Sequence, residues 1–316
     1  MPAPFTNPLT FLSLLWSFSE SDIPTFVLPN TAFGLLATLA APSLTTATNN
    51  LCPNLSTLLT RIPPMLFFNW TNVFIFELAN QRLPESIKED KANKPWRPLP
   101  QGRITQSQTR CLLLVSIPVV LALSAALGVG IESALILLLA WMYNDLGGGD
   151  EVSRDLIIAV AYDVFLVASL RIGMGSASFS ASVSASTSSA AADLQVGILR
   201  TGYTWLALIG CTIASTMQVQ DLKDQVGDLL RGRKTWPIVL GDSVSRKWIA
   251  ACVPVWSVLC VLFWHTPLWV SVVPVLLGMW VSGCVLLKRG DAGAWRWWCA
   301  WQVALYALPI WHANAL

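Results

Sequence analysis

The chain is predicted to be all-α, a multi-pass membrane bundle of about nine transmembrane helices. Three observations lead there. Of 316 residues, 54% are hydrophobic and only 12% charged, about half the charge of an ordinary soluble domain, and mean hydropathy is +0.57. Apolar stretches near 20 residues, the length that crosses a bilayer core, recur along the whole chain. The basic residues gather in loops that lie on one side once those stretches are threaded through a membrane. A formal net charge of +2 excludes a basic nucleic-acid-binding domain, so the partner to expect is the lipid bilayer and no nucleic acid. Sixteen Trp against four Tyr suit long contact with membrane interfaces.

In chain order, the apolar run at 11–18 is too short to span. Residues 1–23 are therefore read as an interfacial segment ahead of a membrane domain at 24–316. Pro2, Pro4 and Pro8 stand where a cleavable signal would carry a basic region. The spans fall near 24–42, 57–80, 110–128, 131–146, 156–173, 196–220, 246–264, 268–287 and 295–313. The fourth is short for a crossing. The fifth contains Asp163 and Arg171, roughly 12 Å apart at 1.5 Å rise per residue and so not a direct pair. An ionisable group at that depth is costly, and Asp163 is expected to face a cavity.

Seven Lys and Arg fall at 82–110 and six more at 223–247. Four spans separate these loops, so both face one side, with Arg154 and Lys288, Arg289 and Arg296. The positive-inside rule makes that side the cytoplasm. The opposite loops are nearly uncharged, including the Ala/Ser-rich tract 174–192, to which no chemistry is assigned. Asn54-Leu-Ser reads as a glycosylation sequon there, whereas Asn69-Trp-Thr lies inside a span. Seven Cys without a CxxC pair are read as small buried hydrophobes, Cys52 excepted. His265 and His312 stand too far apart to suggest a metal site.

Chemistry concentrates in the two large loops. Asp221, Asp224 and Asp228 are spaced i, i+3, i+7, so on a helix they share one face where the sixth span leaves the bilayer. Three carboxylates on one stripe repel unless a cation neutralises them, and hard oxygen ligands suit Mg²⁺ held together with substrate phosphates. Arg231, Arg233 and Lys234 follow closely, as a diphosphate requires. The first loop repeats the theme. Glu77 and Asn80 close the second span; Glu85, Glu89 and Asp90 supply acid, while Lys94 and Arg97 supply base. Pro84, Pro95, Pro98 and Pro100 predict an extended segment rather than a helix. Between them, Tyr143 and Asn144 precede three successive glycines and are candidates for positioning substrate.

These residues resemble a known family. The run Asp221-Leu-Lys-Asp224-Gln-Val-Gly-Asp228, followed by Gly232-Arg-Lys-Thr-Trp-Pro237, looks like the second Asp-rich motif of the UbiA superfamily of intramembrane prenyltransferases. Asn80 and Arg97-Pro98-Leu99-Pro100-Gln101-Gly102 keep the frame of its first motif. The Asp residues of that first motif are lost: the chain reads Asn80-Gln81-Arg82-Leu83-Pro84-Glu85-Ser86-Ile87-Lys88, with Glu85, Glu89 and Asp90 nearest. This pattern, with YNDLGGGDE at 143–151, is similar to a fungal branch that includes UbiA-type membrane-bound terpene cyclases.

The resemblance implies Mg²⁺-triggered loss of diphosphate from a linear prenyl diphosphate such as farnesyl diphosphate, then ring closure of the carbocation. It implies Asp221, Asp224 and Asp228 as metal ligands on one side of the diphosphate, with Glu89 and Asp90 on the other. Asn80 completes the catalytic set. Lys94, Arg97, Arg233, Lys234, Gln81, Tyr143 and Asn144 would contact substrate. Phe74, Trp70 and Tyr203 are candidate cavity aromatics for cation–π stabilisation. The same resemblance implies the endoplasmic reticulum, with the active-site loops cytoplasmic. Two alternatives stay open: a UbiA-type prenyltransferase acting on an aromatic or polyketide acceptor, and an inactive membrane scaffold.

Overall fold

The computed structural model describes residues 7–47, 52–175, 196–288 and 290–315. Most of the Ala/Ser-rich tract, the first six residues and Arg289 lie outside them. The described helices are α1 (Pro8–Ser19), α2 (Leu28–Leu39), α3 (Leu55–Gln81), α4 (Pro84–Asn93), α5 (Gln106–Ala126), α6 (Gly130–Asn144) and α7 (Arg154–Met174). After the tract come α8 (Arg200–Thr216), α9 (Gln225–Arg231), α10 (Asp242–Phe263), α11 (Leu268–Leu286), α12 (Asp291–Tyr306) and α13 (Leu308–Ala315). Among the described residues the only extended pairing is an isolated bridge between Thr45 and Ile198.

Every expected span coincides with a helix, but only α5, α7, α10 and α11 are both long and apolar enough to cross a membrane on those grounds alone. The others depart for visible reasons. A π-helical turn, Ile23–Val27, leads into α2 and begins around Pro24. Helix α6, at 15 residues, is about 22 Å long. The last span is divided at Ala307 into α12 and α13. Helix α3 has ample length but carries polar residues, which it buries. Asn69 donates to Thr31 Oγ1 (3.0 Å) and Ser169 Oγ (3.1 Å), and Asn72 Oδ1 accepts from Ser133 (2.7 Å). Such bonds satisfy polar groups that lipid could not.

Three packed clusters organise the bundle. The largest joins α2, α7, α8 and α10 through α13. A second ties α1 to α3 and α5. A third plugs the space between α3, α6 and α7 with Met65, Phe68, Val129, Phe165, Ala168 and Ile172.

Several expectations are corrected. The start of the first loop is helical, because Pro84 occupies the first turn of α4, where its missing N–H costs nothing; the chain beyond Asn93 is non-helical, as its prolines require. Asp163 faces Gly210 of α8 rather than a cavity, a close approach that the absent Cβ permits. Arg171 pairs with Glu132, in keeping with the expectation that it and Asp163 are not a direct pair. Cys111 and Cys211 are exposed on outward helix faces, whereas Cys260, Cys284 and Cys299 are buried.

Candidate active site

The acidic stripe is built from three backbone environments, not one helix. Helix α8 ends at Thr216 and tightens into a 3₁₀ segment, Met217–Lys223, that carries Asp221. Asp224 is the joint (φ −106°, ψ 5°), and Asp228 lies in α9. All three nevertheless line one cavity. Asp221, 3% exposed, pairs with Arg154 at the start of α7. Asp224 pairs with Lys223, and Asp228, 1% exposed, sits 4.0 Å from Arg233 Nη1.

Burial sets the electrostatics. It pushes the Asp221 carboxyl up to about 7, with Asp155 and Asp228 adding to the rise and Arg154 opposing it. Asp228 rises to about 6 through burial, with Glu89 and Asp224 helping and Arg154 and Arg233 opposing. Burial alone would raise Asp224 too, but Lys94, Lys223 and Arg97 outweigh it and hold this carboxyl below its usual value. Desolvation and the neighbouring Lys94 lower Lys223.

The facing wall comes from the end of α3, from α4 and from the loop after it. Arg97 is 4% exposed; its Nη2 donates to Glu77 Oε2 (2.9 Å) and its Nη1 to both Asp90 oxygens (3.1 and 3.2 Å). Gln81 fixes Glu77 (2.7 Å) and also bonds the Phe18 carbonyl (2.8 Å), while Asn80 donates to Asn144 Oδ1 (2.9 Å). Arg231 Nη1 reaches Glu89 Oε2 at 3.2 Å, and Arg233 Nη1 reaches Oε1 at 3.4 Å. Asn93 bridges the walls: its Nδ2 donates to the Asp224 carbonyl (2.8 Å), and its Oδ1 accepts from the Gly227 N–H (3.0 Å). A Cβ at Gly227 would collide with that carboxamide.

Between the walls lies a cavity of about 640 Å³, within the range of small-molecule pockets. Its mouth carries Asn80, Glu89, Lys94, Arg97, Asp221, Asp224, Asp228 and Arg233. Its depth is apolar and aromatic, with Phe26, Val73, Ile136, Ile158, Tyr162 and Phe165. Tyr143 lines the wall against Phe76, with ring centroids 5.3 Å apart, and Gly149 lies so close beneath its ring that a Cβ there would clash.

Asp90, Gln81 and Asn144 stand behind the wall as partners of the lining residues. Lys234 is outside, in a half-exposed pair with Glu151. The expected aromatics are elsewhere: Phe74 packs against Phe18, Trp70 bonds Ser19, and Tyr203 is exposed. Sequence reasoning missed Asp22, which lines the cavity and whose carboxyl burial and Glu77 raise to about 6 against Arg97 and Lys94. Arg154 was legible only as a basic residue on the same side as the two large basic loops.

Among the described residues no three His, Cys, Asp or Glu side chains form a ready-made metal cage. The donor set nonetheless fits Mg²⁺, which keeps substrate phosphates and water in its shell and needs only one or two carboxylates. The buried Oδ2 atoms of Asp221 and Asp228 have no hydrogen-bond partner, an expensive state that a cation relieves. On the opposite wall, guanidinium groups already engage Glu89 and Asp90.

Comparison with known proteins identifies the family and the fold. The pattern of the UbiA prenyltransferase family matches residues 35–308. The chain is 28% identical over 309 residues to the fumagillin beta-trans-bergamotene synthase of Aspergillus fumigatus, covering 96% of this chain and 93% of that protein. It is 28% identical over 285 residues to the somaliensene A/B synthase of Streptomyces somaliensis, covering 87% and 84% respectively. The apo structure of a UbiA homolog from Aeropyrum pernix K1 superposes with a TM-score of 0.61 at 14% identity, over 92% of this chain and 98% of that one, a likeness of fold.

Proposed function

This chain belongs to the UbiA prenyltransferase family, and from that premise we propose that it is a Mg²⁺-dependent membrane terpene cyclase acting on a linear prenyl diphosphate. The observation that carries the reading is the polarity of the cavity: carboxylates and fixed cations at one end, apolar and aromatic side chains at the other. A diphosphate fits the mouth and a prenyl chain fits the depth. The apolar end offers aromatic faces to a cation.

Asp221, Asp224 and Asp228 would hold Mg²⁺, which neutralises the diphosphate and makes it a better leaving group. Lys94, Arg97 and Arg233 supply fixed positive charge to the departing oxygens, and carboxylate partners hold Arg97 and Arg233 in place before substrate arrives. Glu89 and Asp90 would reach a metal only by releasing Arg231, Arg233 and Arg97, so their proposed service is to position those cations. Asn80 and Asn144 brace the rim beside Tyr143. The walls then exclude water from the cation until it closes on its own double bonds.

In this reading residues 24–316 form the prenyl-diphosphate-processing domain. We place the segment before residue 24 at the interface, where Leu9, Leu12 and Trp16 of α1 turn outward while Asp22 at its end lines the cavity. The mouth faces the cytoplasm, and the endoplasmic reticulum is the proposed membrane.

The test is diphosphate release in microsomes given farnesyl or geranylgeranyl diphosphate without an acceptor. Mg²⁺-dependent release that disappears in Asp224→Ala/Asp228→Ala supports the proposal. Release only after a phenolic acceptor is added hands the activity to a prenyltransferase, and release under neither condition leaves a scaffold.

A further inference from the structure

The cavity ends abruptly, and the residues that end it are few. On α7 the lining residues Arg154, Ile157, Ile158, Ala161, Tyr162 and Phe165 form one helical stripe. The next positions on that face, Ala168 and Ser169, are wholly buried. On α3 the lining stops at Val73 and on α6 at Ile136. Phe165 closes this level: its ring meets Phe26 edge-on (centroids 4.8 Å apart) and Phe68 behind it (6.1 Å). Phe26 is delivered by the π-helical turn Ile23–Val27 and also abuts Tyr162 at 4.5 Å. Beneath the rings lie Ala168 and the hydrogen bonds of Asn69 to Thr31 and Ser169, and then Met65 and Ile172. The floor is a packed plug pinned by those bonds, not a loose side chain.

We infer that Phe165, backed by Phe26 and Phe68, sets the length of prenyl chain the enzyme accepts, and that the fit is three isoprene units. The inference rests on the proposed function above. Arg154 touches Asp221 at the diphosphate end, and Phe165 lies eleven residues further along α7, about 16 Å at 1.5 Å per residue. An extended carbon chain advances roughly 1.3 Å per single bond of about 1.5 Å, so each four-bond isoprene unit spans about 5 Å. Three units reach the Phe165 ring. Four exceed the shaft by about 4 Å and meet the plug. Ala161, about 10 Å from Arg154 by the same rise, marks the depth of two units.

The experiment compares kcat/KM for geranyl, farnesyl and geranylgeranyl diphosphate, by diphosphate release, in wild type and three variants. Phe165→Ala and the milder Phe165→Leu deepen the shaft. Ala161→Phe fills it midway and leaves the plug untouched, so the inference stays testable even if Phe165→Ala fails to fold. The expected result is a wild-type preference for farnesyl over geranylgeranyl diphosphate of at least tenfold. That ratio moves at least tenfold toward the longer substrate in the folded Phe165 variants, and Ala161→Phe moves preference toward geranyl diphosphate. Equal use of C15 and C20 substrates by wild type, or ratios unmoved in folded variants, overturns the length assignment while leaving the proposed function standing. No release from any of the three by wild type overturns both.

Discussion

Removing metal should make this protein less stable at pH 8 than at pH 5, the reverse of ordinary acid sensitivity. Asp228 carries the effect most simply. Burial moves its carboxyl from an ordinary 3.8 to about 6. Between those values the folded protein holds a proton that the unfolded chain releases, so stability falls as pH rises through the window. At about 1.4 kcal/mol per pH unit, Asp228 loses roughly 3 kcal/mol over the whole window, of which about 1.4 kcal/mol falls above pH 5. Asp221, raised to about 7, extends the window upward, and Asp22, raised to about 6, acts in the same direction. Asp224 is held low, so its opposite contribution is lost only on stronger acidification. Thermal unfolding in detergent, read from the sixteen Trp, should therefore give a melting temperature in EDTA about 5 °C or more lower at pH 8 than at pH 5. Mg²⁺ with inorganic diphosphate should close the gap, and Asp228→Asn should narrow it. Equal or higher stability at pH 8 in EDTA would refute the reading that burial of these carboxylates outweighs their cationic neighbours.

Three further outcomes follow. Arg97→Met should cost about 3–5 kcal/mol, because it strands Glu77 and Asp90 in a buried site; adding Glu77→Gln and Asp90→Asn should restore the melting temperature but not diphosphate release. Gly227→Ala should push α9 off Asn93 and raise the Mg²⁺ concentration needed for half-maximal release, and Asn93→Ala should do the same, a dependence that titration with Mg²⁺ measures directly. Lys234→Ala should change stability by less than about 1 kcal/mol, since its pair with Glu151 is half-exposed, and should slow release far less than Arg97→Met.

The fold was legible because its signals are redundant. Span length, loop charge and parity all report the same threading, and all nine expected spans meet helices. The mouth of the site was legible because charges in an apolar chain are rare enough to stand out: Asp221, Asp224, Asp228, Glu89, Lys94, Arg97 and Arg233 do converge. Helix rotation was not legible. A membrane helix is apolar all round, so periodicity cannot say which side faces a cavity. Phe74 and Trp70 therefore looked as eligible as Phe26, Tyr162 and Phe165, which in fact line it. The helix at Pro84–Asn93 was missed because proline was read as a breaker rather than as a first-turn residue. Asp22 was hidden by distance: only the tertiary fold brings the segment after α1 against Glu77 and Arg97.

The most direct measurement is the structure of the organic product. Microsomes holding the chain, given farnesyl diphosphate and Mg²⁺ and no acceptor, would be extracted and analysed by gas chromatography–mass spectrometry beside Asp224→Ala/Asp228→Ala. The account predicts a cyclic hydrocarbon or alcohol that the double variant does not make. Only linear farnesol, or no product until an aromatic acceptor is supplied, would contradict it.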